Sequence, residues 1–169
     1  MYLFLNRFYH LIPILSSALL MLIFSFNSGS VFNSYYTPSI AAICVYFWAF
    51  HFFRLISVFD IFIVAIISDF VNQTPLGTES AALLLAYFLT ISQRDIAIKY
   101  GFSLFWIFFG AFLGLYSLIK FVLLSLYFWE LNFDQHLFPQ FAITFLLFPL
   151  IHRLLSFIGL KRVISLKSE

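Results

Sequence analysis

Three charged side chains lie inside long apolar runs and are the first candidates for chemistry: Asp60, Asp69 and Lys120. A charge at the centre of a membrane helix costs roughly 2.5–3.5 kcal/mol on insertion scales, so such residues are kept for pairing or for function. Asp60 and Asp69 are nine residues apart, which at about 100° per residue puts them on opposite faces of one helix. They therefore do not form the proton-sharing dyad of an intramembrane aspartyl protease. Asp60 lies within two turns of a basic loop, where Arg54, Arg94 or Lys99 would neutralise it; the alternative is a transport role. Asp69 ends its apolar segment and Lys120 lies in the outer half of a later one, at similar depth. The expectation is an Asp69–Lys120 ion pair inside the membrane, with a ligand site as the alternative.

Other reactive patterns are missing. His10, His51, His136 and His152 lack metal-ligand spacing and read as interfacial polar residues. The single Cys44 gives neither a disulfide framework nor a multi-cysteine zinc site. There is no G-x-S-x-G elbow, Walker loop or dinucleotide fingerprint. The sequence thus names no catalytic residue, no cofactor and no metal ligand, and the expected protein is not an enzyme.

The elements that must carry these residues follow from composition. Charged residues are 9% of the 169, against about 25% in a soluble domain, and 63% are hydrophobic, with a mean hydropathy of +1.04. A water-soluble surface cannot be covered with so few polar side chains, whereas helices in a bilayer can be apolar all round. The 26 phenylalanines exceed what packing requires, and codon bias in an AT-rich genome is the expected source. A net charge of +2 gives no sign of nucleic-acid binding.

Six apolar segments can be placed, at 8–26, 39–53, 55–71, 76–91, 101–128 and 137–158. The first has the makings of a signal peptide, but the apolar segments after it make it a retained membrane helix. The middle three are short for the roughly 17–25 residues of a span. Charge decides the count. Arg7, Arg54, Arg94, Lys99, Arg153, Lys161, Arg162 and Lys167 all fall on one side if there are six crossings, and loops 27–38, 72–75 and 129–136 hold no Lys or Arg. Five crossings would bury Arg54 mid-helix. The fold class is therefore all-α integral membrane: six transmembrane helices with short loops, one polytopic domain over 1–169, and both termini cytoplasmic.

Local signals agree with that layout. Thr37-Pro38 and Thr74-Pro75 place a capping hydroxyl before a proline suited to a first helical turn. Tyr35, Tyr36, Tyr127 and Trp129 mark the outer boundary, and Tyr9 and Tyr100 the inner one. Gly110-Ala-Phe-Leu-Gly114 is a small-xxx-small motif, with Ser103 and Ser117 on roughly the same face, read as internal packing over subunit association. Pro149 should kink the last helix.

The stretch Ile66-Ile-Ser-Asp69-Phe-Val-Asn-Gln-Thr-Pro75-Leu76-Gly77, leading into apolar Ala81–Tyr87, resembles the rod shape-determining protein MreD family. Members have an aspartate near the end of a short helix and then a Leu-Gly step, often Pro-Leu-Gly, that opens the next one. The matching positions are Asp69, Pro75, Leu76 and Gly77; about 20 residues carry the likeness specifically, while length and layout extend it in outline. Ala65 stands where glycine is frequent, and Glu79 departs from the pattern. The resemblance implies a non-enzymatic scaffold of the bacterial inner membrane in cell elongation and peptidoglycan synthesis. Its implied partners are MreC, and with it RodA, a penicillin-binding transpeptidase and MreB. It also implies a fold similar to the substrate-binding subunits of energy-coupling-factor vitamin transporters. A subunit of that kind is the rival reading, with Asn72, Gln73, Glu79, Trp129, Glu130 and Asp134 available to line an outward pocket.

Overall fold

The computed structural model describes residues 13–23, 37–51, 56–72, 74–91, 102–129 and 137–167. They form six helices and no strand: α1 (Pro13–Ile23), α2 (Ile40–His51), α3 (Val58–Asn72), α4 (Thr78–Ile91), α5 (Phe102–Phe128) and α6 (Leu137–Lys167). Each of the six apolar segments contains most of one helix, with α3 ending one residue past its segment and α6 running on to Lys167. Two stretches, Phe102–Phe128 and Phe138–Phe157, are long and apolar enough to cross a membrane. The others are shorter than a span requires: α2, at 12 residues, is about 18 Å long against a hydrocarbon core of about 30 Å.

The helix α2 is central. Every residue from Ile40 to Phe50 is buried, and it packs against α3, α4, α5 and α6. A helix apolar on all faces can be covered on all faces, and here it is. Tyr46 lies at the middle, with its ring 4.9–5.7 Å from those of Phe105, Phe109, Phe112 and Phe148 and its hydroxyl donating to Phe105 O at 3.0 Å. Phenylalanines continue between α5 and α6, where Phe109 and Phe148 stack at 4.0 Å and Phe145 stacks on Trp106 at 5.0 Å. Some of the phenylalanines thus pack the core, while others, such as Phe59, Phe70 and Phe138, are more than half exposed.

Contacts at the two ends give the helix directions. At one end meet the start of α2, the end of α3, the start of α4, the second half of α5 and the first turns of α6, joined through Ser39, Asp69, Glu79, Tyr116, Lys120 and Thr144. At the other end the last residue of α2, His51, meets Phe105 near the start of α5 and His152 of α6. From α2 to α6 the helices therefore alternate in direction.

Pro149 lies within α6 and has no N–H for the carbonyl of Phe145, four residues earlier. That carbonyl accepts instead from Trp106 Nε1 of α5 at 3.2 Å, so the orphaned acceptor becomes an interhelix tie. The two glycines of the small-xxx-small motif part company. A Cβ on Gly110 would come within 3.0 Å of the Phe145 ring, so this glycine serves the α5–α6 approach. A Cβ on Gly114 would meet nothing within 4 Å.

The buried residues of α3 are Asp60, Ile61, Val64, Ala65, Ser68 and Asp69. They span about half the helix circumference, with the two aspartates at its margins. Opposite-face spacing thus did not expose either carboxylate; both are buried, about 13 Å apart along the axis. Asp60 belongs to a capping box. Ser57 N–H donates to its Oδ2 at 2.7 Å, and its own N–H donates to Ser57 Oγ at 3.2 Å. Arg54, Arg94 and Lys99, expected to neutralise it, lie outside the described residues.

Candidate functional site: a buried charge network at one end of the bundle

The turn from α3 to α4 builds the first half of the site. The N–H of Thr74 donates to Asp69 O at 3.1 Å, closing the end of α3, and the N–H of Thr78 donates to Pro75 O at 3.2 Å. Between them Gly77 has φ +100°, the positive value that the third position of a type II turn needs and glycine supplies without strain. The Asp69 carboxylate folds back over this turn. Its Oδ2 accepts from Gly77 N at 2.8 Å, and its Oδ1 from Thr74 Oγ1 at 2.8 Å and Glu79 N at 3.1 Å. Thr78 Oγ1 lies 3.1 Å from the same Oδ1 and 2.9 Å from Pro75 O, and its single proton serves one of them. Asp69 is fully buried, yet backbone amides and the positive end of the α4 dipole compensate its charge.

The expected helix starts move accordingly. Thr74-Pro75 does not open α4; the helix begins at Thr78, and its cap is the carboxylate of Asp69 reaching across from α3. Nor does Pro38 enter α2. Ser39 holds the cap position, its carbonyl accepting from Ile43 N at 3.3 Å.

Glu79, in the first turn of α4, is the centre of the second half and is fully buried. Lys120 Nζ donates to its Oε1 and the Tyr116 hydroxyl donates to its Oε2. Tyr116 and Lys120 are four residues apart on α5, hence on one face. Ser39 Oγ donates to Tyr116 Oη at 3.0 Å, and Ser39 N–H to Thr144 Oγ1 at 3.0 Å. Gln140 Nε2 on α6 closes the chain on Thr37 O at 3.1 Å. One carboxylate thereby ties α4 to α5, and through Ser39 to α2 and α6.

The expected Asp69–Lys120 pair is therefore corrected: the partner of Lys120 is Glu79. The physical reason is local. Amides one turn away already satisfy Asp69, while Glu79 has no such donors and takes the ammonium. Glu79 was visible as a departure from the family pattern, and the sequence signal that could have found it is the Tyr116–Lys120 spacing, which presents a hydroxyl and a cation on one stripe.

No family model, curated protein or solved structure matches this chain. The geometry leaves Glu79 engaged on both oxygens and away from any outward-lining role, while Trp129 is 90% exposed at the end of α5. Asn72 donates to Ser68 Oγ at 3.1 Å, and Gln73, Glu130 and Asp134 lie outside the described residues.

At the opposite end the structure joins two of the histidines that spacing left scattered. His51 and His152 face each other with Nε2 atoms 3.4 Å apart, although 101 residues separate them in sequence. His10 and His136 lie outside the described residues.

Proposed function

We propose that this chain is an integral protein of the bacterial inner membrane whose six helices all cross the bilayer, with both termini in the cytoplasm. In this reading it is a non-enzymatic scaffold of the cell-elongation machinery, similar to the MreD family. It binds an MreC-type membrane-anchored partner and through it works with RodA, a penicillin-binding transpeptidase and MreB.

One observation carries the reading: the residues of the resemblance, Asp69, Pro75, Leu76 and Gly77, act as one unit, an aspartate capping the helix that the Pro-Leu-Gly turn opens. The surface also supports a lipid environment. Only 28% and 22% of an 18-residue apolar portion of the two long stretches is buried, unlike core helices of a soluble fold, and Ile107, Leu118, Leu126, Leu146 and Leu150 are all more than half exposed. Exposed Tyr127, Phe128 and Trp129 at the end of α5 suit a membrane interface. The short α2 fits because protein covers it, and irregular backbone at membrane depth is tolerated where protein buries it. The mutual engagement of Glu79, Lys120, Tyr116 and Asp69 supports a structural use of these groups over a reactive one.

A partner that binds only the folded form raises its stability by mass action. Purified in detergent, the chain should show a clear rise in Tm with the MreC-type partner and none with water-soluble vitamins. A nanomolar vitamin ligand with no partner complex would overturn the scaffold in favour of the transporter subunit.

A further inference from the structure

We propose that His51 and His152 form a binding site for a divalent transition-metal ion that ties the end of α2 to α6. The proposal is independent of the scaffold reading. Two imidazole nitrogens bound to one tetrahedral ion at about 2.0–2.1 Å each stand about 3.3 Å apart. The observed Nε2···Nε2 separation of 3.4 Å matches that spacing and is slack for a hydrogen bond, whose mode is near about 2.9–3.0 Å.

The surroundings orient both rings toward this point. His51 Nδ1 lies 3.3 Å from Phe47 O, so a proton held there on the carbonyl leaves the Nε2 lone pair facing His152. A metal-ligating histidine is commonly fixed in this way, with its second nitrogen on a backbone carbonyl. Phe47 stacks on the His51 ring at 4.7 Å and Phe105 stands edge-on to it at 5.0 Å, while Phe102 and Phe148 pack on His152 at 5.1 and 5.7 Å. These apolar walls hold the rings and offer no competing ligand.

Two imidazoles select a borderline ion such as Zn2+, Cu2+ or Ni2+ over Mg2+ or Ca2+, which take oxygen ligands. Binding forms two metal–nitrogen bonds and leaves two waters in the four-coordinate shell, the ion's other waters passing to solvent. The His152 proton settles on its Nδ1, so two neutral rings bind with no net proton change. Among the described residues no third histidine, cysteine or carboxylate joins the pair, and water would complete the shell.

The test uses the full chain in detergent, stripped with EDTA. Zn2+ should raise its Tm, because the ion bridges two helices only in the folded form. His51→Gln and His152→Gln should each lose the shift, and the double variant His10→Gln/His136→Gln should keep it. Cu2+ added to the wild-type protein should give an electron paramagnetic resonance spectrum with two nitrogen ligands, which keeps the test decisive if a histidine variant fails to fold. Absence of a Zn2+ shift, a shift that survives in either single variant, or a Cu2+ spectrum without nitrogen ligation overturns the site.

Discussion

Replacing Lys120 with Met should destabilise the detergent-solubilised protein by about 3–5 kcal/mol, the usual cost of removing one partner of a buried ion pair. Glu79 would remain fully buried, with the Tyr116 hydroxyl as its remaining side-chain donor. Glu79→Gln alone leaves the Lys120 ammonium without its counter-charge and should also be costly. The double variant Glu79→Gln/Lys120→Met removes both charges and should cost less than the sum of the two losses. The coupling should be about 0.5–3 kcal/mol, the range for residues in direct contact. A parallel cycle on Asp69→Asn and Lys120→Met should give a smaller coupling, because those groups meet only through Glu79. Equal couplings in the two cycles, or additivity in the first, would show that the pairing is wrong.

The same two positions show where the sequence was readable and where it was not. Hydropathy located all six helices, since an apolar run bounded by polar punctuation fixes where a helix sits. Charge bookkeeping found that Lys120 needs a carboxylate but chose the wrong one. It compared residues by depth, and depth does not reveal that the Asp69 oxygens are already used by Gly77 N and Glu79 N. The Pro-Leu-Gly pattern marked a turn without showing that the aspartate eight residues back would cap it. The shortness of the middle segments was legible, and α2 has 12 residues; what hydropathy did not show is that α2 is covered by protein on every side. The His51–His152 contact had no sequence signal, because it depends on α2 and α6 running parallel.

Removing the Asp69 side chain should be nearly as damaging as removing Lys120, though Asp69 pairs with no cation among the described residues. Asp69→Ala would orphan the buried amide of Glu79, and at the half-exposed turn the amide of Gly77 and the hydroxyl of Thr74. Loss of one cap costs about 0.5–2 kcal/mol, and hydrogen bonds to a charged group are worth about 1.5–3. A total of about 3 kcal/mol or more is expected. Asp69→Asn should recover only part of it, because its NH2 would face a donor that one carboxylate oxygen now accepts from. Gly77→Ala should cost less, about 1–2 kcal/mol, since a Cβ there strains the backbone but touches nothing within 4 Å. Equilibrium unfolding of the three variants checks this order, and a Gly77→Ala loss exceeding that of Asp69→Ala would refute the capping account.

Labelling of single cysteines tests most directly the proposed arrangement, in which the alternating helices are alternating membrane crossings. In a Cys44→Ala background, cysteines placed at Asn33, Gln73 and Asn132 should react with an impermeant thiol reagent added to the periplasmic side of intact cells. Cysteines at Ser92 and Ser165 should react only after the inner membrane is opened. Labelling of Ser92 from outside would contradict the six-crossing arrangement and the scaffold reading built on it.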